Sequence, residues 1–594
     1  MQSNTLNRIF FKSVFSLALS NFVANVGNMI DGMIIGSFLG DTSLTAYGLI
    51  LPVVFLHGAQ MGVFLVGMKS CGGHAIGKGD MRLADEYFSS AFFAECALSV
   101  IIALILCLFP GAVAGLLGAS KHSPEIFAQT RDYIIGYSLG IPFLSLSSLL
   151  IDTMYTEGKG QNIIISVIIA IAVNTCGDLY VSFTSRSMLG IGLATSASYM
   201  IGCLYLVLCR YKSENAVNIS LRHNNPKHLP SIIKGGSTTG AVRASHMLRV
   251  WVLNLILTYY FGKEAVSALS IQNSVAAIFL CIANGTGVTI LTIGSIFYGE
   301  NNEDAMEQLM TTSVISSMAM CAVIFAINWL IAGPVVSFYT SNAVIKGMAV
   351  QGVIIFAFAF PFLVLNLTFM QYYMAVKRFG LSVSHCVLYD SVMVIASAFI
   401  LVRTLGMTGV WLSFPVGYAL SLIFVLVVGY RAKHKFPRGV SGCLLPFPEQ
   451  NYREASYICD SPKQLARASE DLQGKAAEWG FTQSEANKAA LCAEEYGMLL
   501  MSKAFHQTES QRAQNTFSIR MVGFTDSLLL RIQDTYPVLN SLEWMKAHQD
   551  GEADGDSLGI RMIFGSADNI DYRNILGLNT ILITIRKHEG RKTD

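Results

Sequence analysis

Long apolar segments constrain this chain more than any other feature. A helix needs about 20 mainly apolar residues to cross the hydrocarbon core of a bilayer, and about twelve segments reach that length. They span residues 10–39, 43–70, 84–110, 132–155, 161–184, 189–210, 236–261, 264–297, 305–332, 347–375, 379–403 and 408–431. Because backbone polar groups must be satisfied inside the bilayer, we predict an all-α polytopic membrane protein with about twelve transmembrane helices.

Charge is unevenly distributed along the 594 residues. Only 13% of the chain is charged, whereas about 25% is usual in soluble domains. Charged residues are sparse up to Lys435 and dense after Pro437. We therefore predict a membrane part over 1–436 and a soluble cytoplasmic domain over 437–594. A net charge of +2 gives no support to nucleic-acid binding, and the scattered cysteines suggest neither zinc nor disulfides.

Lysine and arginine lie mainly in the loops on one side of the predicted spans. Lys78, Arg210 and Lys377 fall on the side of the N-terminus, and far fewer cations, such as Arg186 and Arg403, fall on the other. Since cytoplasmic loops are enriched in cations, we expect both termini to be cytoplasmic in a multi-pass protein of the plasma (inner) membrane.

The membrane part contains an internal repeat. Residues 38–47 resemble residues 260–269, and each stretch precedes an apolar helix that ends in glycine and a charged loop. The two loops, 77–80 and 299–302, keep the same offset of about 222 residues. Repeats of this kind build transporters that work by alternating access around a site at the repeat interface. The predicted six-helix lobes are an N-terminal lobe over 1–215 and a C-terminal lobe over 216–436.

Short motifs of the membrane part resemble those of the multidrug and toxin extrusion (MATE) family. The matching elements are Asp31 ahead of Gly36-Ser37-Phe38-Leu39-Gly40, the helix start Leu44-Thr45-Ala46, Pro52, and the loop Gly77-Lys78-Gly79-Asp80. The resemblance covers about 1–436. It implies an antiporter that exports small organic, drug-like compounds in exchange for Na⁺ or H⁺, with no cofactor required and the lipid bilayer as its setting.

Three polar residues form the candidate cation-coupling site. Asp31 and Asp178 lie at similar depth in two spans that run in the same direction, and Asn174 precedes Asp178 by one helical turn on the same face. These oxygens can bind Na⁺, or the two carboxyls can share a proton; the alternative is polar packing. The set resembles the cation site of family members, in which a hydroxyl of the sixth span, here Thr195 or Ser196, completes the site.

Other intramembrane charges are weaker candidates. Glu95 and Asp390 lie near mid-depth and can line the transport path, because a charge buried there is costly unless it has a function. Arg243, His246 and Arg249 recur every three residues along the seventh span. One interpretation is a cationic stripe in the C-terminal lobe, with Arg249 on the transport path. The alternative is that Arg243 simply marks the inner membrane interface.

The domain over 437–594 has the pattern of a mixed α/β sandwich. Helical periodicity runs from Ser461 to Gly480 and from Thr482 to Phe505. Alternating residues predict strands at Thr516–Val522, Ser527–Ile532 and Thr580–Ile585. This order resembles the histidine-kinase-like ATPase fold of anti-sigma-factor kinases.

The nucleotide motifs of that fold are degenerate here. Glu495 is followed four residues later by Leu499 instead of the Mg²⁺-binding Asn, Asp534 lacks its glycine, and Gly559 is what is left of the phosphate lid. ATP binding therefore stays open, and ATPase or kinase activity is not expected. We expect the domain to regulate the transporter or to bind a cytoplasmic regulatory protein.

Two other functions compete with cation-coupled export. One is a flippase for lipid-linked precursors, whose fold resembles this one but whose central cavity is more cationic. The other is a membrane-bound signalling ATPase, which needs intact nucleotide motifs. No GxxxxGK[ST] phosphate loop occurs in the chain. The sequence leaves open the substrate, the choice between Na⁺ and H⁺, and the oligomeric state.

Overall fold

A computed structural model describes residues 3–117, 119, 124–212, 216–339, 342–435, 443–445, 453–501, 517–534, 540–548 and 555–587. The helices of the first half are α1 Ser3–Ile34, extended by a π turn Ile35–Leu39, α2 Asp41–Lys78, α3 Met81–Leu108, α4 Pro110–Leu116, α5 Pro124–Ser138, α6 Ile141–Thr156, α7 Gly160–Phe183 and α8 Met188–Tyr211. The helices of the second half are α9 Leu229–Phe261, α10 Lys263–Glu300, α11 Glu303–Tyr339, α12 Ala343–Ala375, α13 Phe379–Val387, a π turn Leu388–Val392, and α14 Met393–Lys435.

The predicted apolar segments coincide with these helices. Within the described residues, eight helices are long and apolar enough to cross a membrane, or nine if the pair α5–α6, bent by 44°, is one span. This number is lower than twelve partly because the last two predicted spans run on as one helix, with a kink at Gly406 (φ 59°). Helix α9 is also not among the eight helices, because its first half is polar and contains Lys234 and Arg243.

The internal repeat has a structural counterpart at both ends of α2 and α10. Gly40 precedes α2 with φ 91° and Gly262 precedes α10 with φ 78°. Gly79 and Asn301 end the same helices in the left-handed conformation, which lets a chain turn sharply after a helix. Both pairs keep the offset seen in the sequence, so α2 and α10 occupy corresponding places in the two halves.

The two halves pack closely along the C-terminal half of α2, from Val63 to the ends of α2 and α10, a region called the closed end below. A Cβ atom added at Gly77 would lie 2.0 Å from the Ile296 carbonyl oxygen, and one added at Gly236 would lie 1.9 Å from that of Val63. Near the start of α2, by contrast, a Cβ atom at Gly48 would meet nothing within 4 Å. The glycines thus permit a close contact between the lobes at one end of the molecule.

The soluble domain is a five-stranded antiparallel sheet covered on one face by helices. Its elements are β1 Arg453–Cys459, α15 Pro462–Glu478, α16 Gln483–Met501, β2 Phe517–Gly523, β3 Ser527–Asp534, α17 Ser541–His548, α18 Gly555–Ser566, β4 Asn569–Ile575 and β5 Leu578–Arg586, with strand order β1-β2-β3-β5-β4. Alternate residues such as Ile519, Ile532 and Ile583 fill the core beneath the helices. The predicted helices and three strands are confirmed where the structure describes them, whereas residues 502–505 of the second helix and Thr516 of the first strand lie outside the described residues. Strands β1 and β4 were not predicted, since they are short and partly polar.

The other face of the sheet rests on the closed end. Arg531 forms an ion pair with Glu300, the last residue of α10, and donates to the Gly77 carbonyl oxygen of α2 at 2.6 Å. Arg573 lies 3.6 Å from the Asp85 carboxylate of α3. Leu529 and Leu582 join an apolar cluster with residues of both halves. The soluble domain therefore contacts both lobes at once.

Replacing Gly236 by valine should destabilise the closed end, because the new side chain has no room beside the Val63 carbonyl oxygen. Overpacking of this kind costs about 1–3 kcal/mol, so the thermal unfolding midpoint of the purified protein should fall by several degrees. Gly240→Val is the matched control: it changes helix propensity equally on the same helix, but a Cβ atom there meets nothing within 4 Å. Equal shifts in both variants would contradict the packing assignment.

Candidate functional site

The structure brings Asp31, Asn174 and Asp178 together in the N-terminal lobe. Asp31 lies on α1, and the other two lie one turn apart on α7. The Asn174 amide nitrogen donates to Asp31 Oδ1 at 2.5 Å and to Asp178 Oδ2 at 3.3 Å. Asp178 is completely buried, and the other two side chains are nearly so. A contact between residues 143 positions apart in the chain thus joins the two predicted carboxyls.

Two oxygen atoms of this group have no hydrogen-bond partner among the described residues. They are Asn174 Oδ1 and Asp178 Oδ1, and both are buried. The carboxyls of Asp31 and Asp178 also lie within hydrogen-bonding reach of each other, so two negative charges cannot persist there without a proton or a cation between them. Buried polar atoms normally find partners. Hard oxygen atoms without one fit a small cation or a proton.

The predicted hydroxyls bond elsewhere in this structure. Thr195 Oγ1 donates to the Ile191 carbonyl oxygen at 3.1 Å, within its own helix. Ser196 Oγ donates to the Gly136 carbonyl oxygen of α5 at 2.6 Å. Both residues are buried in the N-terminal lobe. The contacts shown for these two hydroxyls therefore go to the backbone.

Tyrosines surround the carboxyls, and the sequence reasoning missed them. Tyr47 of α2 packs edge-to-face on Tyr133 of α5 with ring centroids 5.7 Å apart, and Tyr133 stacks on Tyr137 one turn later. The Tyr137 hydroxyl is buried without a hydrogen-bond partner in the described part of the chain. Tyr133 and Tyr137 are four residues apart, and this spacing could have placed both side chains on one face of a helix.

Glu95 lies in a separate polar group of the same lobe. Its carboxylate accepts hydrogen bonds from Ser145 Oγ at 2.8 Å and from the Gln60 amide nitrogen. Ser145 Oγ is in turn 3.0 Å from Nε2 of His57. Glu95 and Ser145 are completely buried. The predicted path residue therefore belongs to a network built from α2, α3 and α6.

Arg249 and Asp390, predicted independently, form one buried ion pair in the C-terminal lobe. Arg249 Nη1 donates to Asp390 Oδ1 at 2.5 Å and to the Tyr418 hydroxyl at 2.9 Å, and its Nη2 lies 2.8 Å from His246 Nδ1. Asp390 lies in the π turn of residues 388–392, a local irregularity often associated with functional sites. The pair neutralises itself, so this part of the lobe does not present a free cationic stripe.

Two of the predicted nucleotide residues contact each other, and the third has a separate hydrogen bond. A Cβ atom at Gly559 would lie 2.3 Å from Glu495 Oε2, so α18 packs directly on that carboxylate. Burial, together with the neighbouring Glu494, raises the pKa of Glu495. Asp534 accepts a hydrogen bond from the Asn579 amide at 2.8 Å. Residues 535–539 and 549–554, which flank the predicted adenine and lid motifs, lie outside the described residues.

Comparison with known proteins supports one family. A model of the MatE family matches residues 16–179 and 244–388, more than half of the chain. The probable multidrug resistance protein YoeA of Bacillus subtilis (strain 168) is 21% identical over 442 residues, which cover 70% of this chain and 91% of that protein. The probable lipid II flippase MurJ of Thermotoga maritima is 24% identical over 202 residues; these cover 34% of this chain and only 41% of that relative.

A solved structure shows the same fold. A mutant of the Vibrio cholerae MATE transporter VcmN superposes with a TM-score of 0.67 at 14% identity, over 73% of this chain and 98% of that one. The resemblance seen in the motifs around Asp31 and in the loop after α2 is therefore confirmed for the membrane part. With its membrane helices in this fold and the family model matched in both halves, the chain belongs to the MatE family, the multidrug and toxin extrusion transporters.

Proposed function

We propose that the protein is a cation-coupled antiporter that exports organic, drug-like compounds across the plasma (inner) membrane. The single observation that carries this proposal is the Asp31–Asn174–Asp178 group. It consists of two buried carboxyls joined by one amide, and the hydrogen bonds described for it include none from a basic side chain. The free-energy cost of burying two carboxyls is high if they serve only as polar packing, and binding of Na⁺ or H⁺ lowers this cost.

Neutralisation of this group is the proposed coupling step. When the cation leaves, Asp31 and Asp178 bear charge in an apolar setting, and that state is costly. When one cation binds, one of the two negative charges is neutralised and the repulsion between the carboxylates is relieved, so the cost falls and the helices α1 and α7 can repack. Each elementary charge moved across the membrane supplies about 2.3 kcal/mol per 100 mV, and each pH unit supplies about 1.4 kcal/mol. Either term is large enough for about tenfold accumulation.

The cationic loops favour an arrangement in which the closed end and both termini face the cytoplasm. Lys78 and Lys377 lie at this end, as do the first residues of α1. The molecule would then be closed toward the cytoplasm, where the soluble domain sits. Cations that arrive from outside would reach Asp31 and Asp178 in this state, which is the direction that export by exchange requires.

The competing functions have weaker support. The similarity to the flippase extends over 34% of the chain, against 70% for the multidrug resistance protein. Arg249, which could have made the C-terminal lobe cationic, is paired with Asp390. A signalling ATPase would need the nucleotide motifs that are incomplete around Glu495 and Asp534.

Replacing Asp178 by asparagine should abolish cation-driven efflux while the protein still inserts and folds. The substitution keeps the shape of the side chain but removes one of the two carboxyls that hold the cation. Dye efflux from proteoliposomes, under separately imposed Na⁺ and pH gradients, measures the effect and identifies the coupling ion. Asp132→Asn is the matched control, because Asp132 is partly exposed and pairs with its neighbour Arg131. Efflux preserved in Asp178→Asn would defeat the assignment.

We also propose that the soluble domain regulates transport by holding the closed end shut. Arg531 contacts Glu300 of the C-terminal lobe and the Gly77 carbonyl oxygen of the N-terminal lobe with one guanidinium group. Arg520 adds a second contact to the Glu300 carboxylate at 3.4 Å. Any opening at this end must separate Gly77 from Glu300, and so it must break one side of this contact.

Burial makes the Arg531–Glu300 contact strong enough to matter. The side chains of Arg531 and Glu300 are 6% and 7% exposed. Removing one partner of such a buried pair costs about 3–5 kcal/mol. Release of the domain, by a cytoplasmic partner or ligand, would therefore be a condition for opening at the closed end.

Replacing Arg531 by methionine should loosen the closed end. We expect faster hydrogen exchange in the last turns of α2 and α10, with a changed rate of efflux in proteoliposomes. Arg453→Met is the matched control, since Arg453 lies exposed on β1 and donates to the Glu478 carbonyl oxygen within its own domain. If protection at both helix ends stays as in the unmodified protein, the domain does not hold the lobes together.

A further inference from the structure

Three of the six buried acidic residues described in the N-terminal lobe have a cationic partner. The pairs are Asp152 with Lys69 at 2.9 Å, Glu157 with Lys159 at 2.8 Å and with Arg210 at 3.1 Å, and Asp85 with Arg573 at 3.6 Å. The other three belong to two groups that have no cationic partner among the described residues. One is the Asp31–Asp178 pair already described, and the other is Glu95, whose hydrogen-bond partners Ser145 and Gln60 are both uncharged.

A chain of hydrogen bonds leads from Glu95 to an imidazole. Ser145 Oγ of α6 lies 2.8 Å from Glu95 Oε1 and 3.0 Å from His57 Nε2 of α2. His57 is 2% exposed, and Glu95 and Ser145 are fully buried. A hydroxyl placed between a carboxyl and an imidazole can accept a proton from one and pass its own to the other.

Each end of this network carries a buried polar atom without a hydrogen-bond partner among the described residues. His57 Nδ1 is buried and has no hydrogen-bond partner among the residues that the structure describes. Gln60 Oε1 is also buried and has no hydrogen-bond partner among these residues. Structural polar networks in proteins normally satisfy such atoms. An imidazole nitrogen left open at the end of the chain is therefore a point at which a proton can enter.

We propose that Glu95 is a second ion-binding site of the N-terminal lobe, that its ligand is a proton, and that His57 and Ser145 deliver this proton. Before loading, His57 Nε2–H donates to Ser145, and the Ser145 hydroxyl donates to the Glu95 carboxylate. A proton arrives at His57 Nδ1, the Nε2 proton passes to Ser145, and the Ser145 proton passes to Glu95. The site ends with a neutral imidazole protonated at Nδ1, an intact hydroxyl and a neutral carboxylic acid, so one proton has been bound.

The ligand of this site is a proton and not a metal cation. Both oxygens of Glu95 already accept hydrogen bonds from N–H and O–H donors, and a metal ion would have to displace them. A proton requires only that the Ser145 hydroxyl turn from the carboxyl to the imidazole. Asn174 and Asp178, by contrast, present buried oxygens that receive no donor in the described residues.

Among the described residues, few other titratable groups interact with Glu95. On its own helix the thiol of Cys96 does so, and the thiol of Cys203 on α8 interacts in turn with Cys96. On α2 and α6 the next charges are Lys69 and Asp152, which neutralise each other. Seven residues of helix, about 10 Å, separate Ser145 from Asp152. His57 is therefore the group through which Glu95 exchanges its proton.

If the protein is the antiporter proposed above, Glu95 adds a proton to the Na⁺ or H⁺ that the Asp31–Asp178 group binds. Protonation of Glu95 itself can be tested without transport. The full-length protein in lipid nanodiscs is titrated with acid and followed by infrared difference spectroscopy, which detects the carbonyl band of a protonated carboxyl. The unmodified protein should show a band that disappears in Glu95→Gln and is retained in Asp178→Asn.

The relay is tested by the rate at which this band shifts in D₂O. Ser145→Ala should slow the exchange by about a hundredfold, since a positioned proton-transfer group contributes about that factor. Ser148→Ala is the matched control on the same helix, because the Ser148 hydroxyl donates to the Leu144 carbonyl oxygen at 2.8 Å.

Two outcomes would overturn the inference. A titration of Glu95→Gln identical to that of the unmodified protein would show that Glu95 takes up no proton. Equal exchange rates in Ser145→Ala and Ser148→Ala would remove the relay. Efflux preserved in Asp178→Asn would refute the antiporter proposal while leaving both infrared results intact, so the two failures are distinguishable.

Discussion

The cost of placing an uncompensated charge in an apolar interior governs this structure. That cost is several kcal/mol per group, and the chain meets it in three ways. Lys69–Asp152 and Arg249–Asp390 pair opposite charges within hydrogen-bonding distance. Asp31 and Asp178 place two acids around one amide, and Glu95 is held by uncharged donors. Among the described residues, the last two arrangements leave acidic groups without a cationic partner, and ion coupling is proposed at these groups.

Close packing at one end of the two lobes gives these local events a consequence for the whole molecule. The contacts through Gly77 and Gly236 leave no space for a side chain, so the two lobes meet backbone to backbone there. The soluble domain lies across this end, with Arg531 in contact with both lobes. Ion binding at Asp31 or Glu95 and release of the soluble domain would then both shift the equilibrium between the shut and opened forms of the closed end.

Sequence reasoning succeeded where the signal is local or repeated. Apolar length predicted the helices, and the offset between 38–47 and 260–269 predicted the equivalence of α2 and α10, including the glycines that precede both helices. One helical turn between Asn174 and Asp178 placed them on one face. Sequence reasoning was weaker for β1 and β4, because short, partly polar strands are recognised by their neighbours in the sheet. It also could not show that Thr195 bonds to its own helix.

The amino-acid sequence by itself determined the membrane part, its twofold repeat, the family and the positions of the intramembrane charges, since hydropathy and periodicity are properties of the chain alone. Only the tertiary structure decided which charged and polar side chains contact one another. Asp31 with Asn174, Arg249 with Asp390, His57 with Ser145 and Arg531 with Glu300 are each joined across more than 80 residues. The physical reason is that a hydrogen bond depends on distances of a few ångströms between helices, and no pattern along one helix contains that distance.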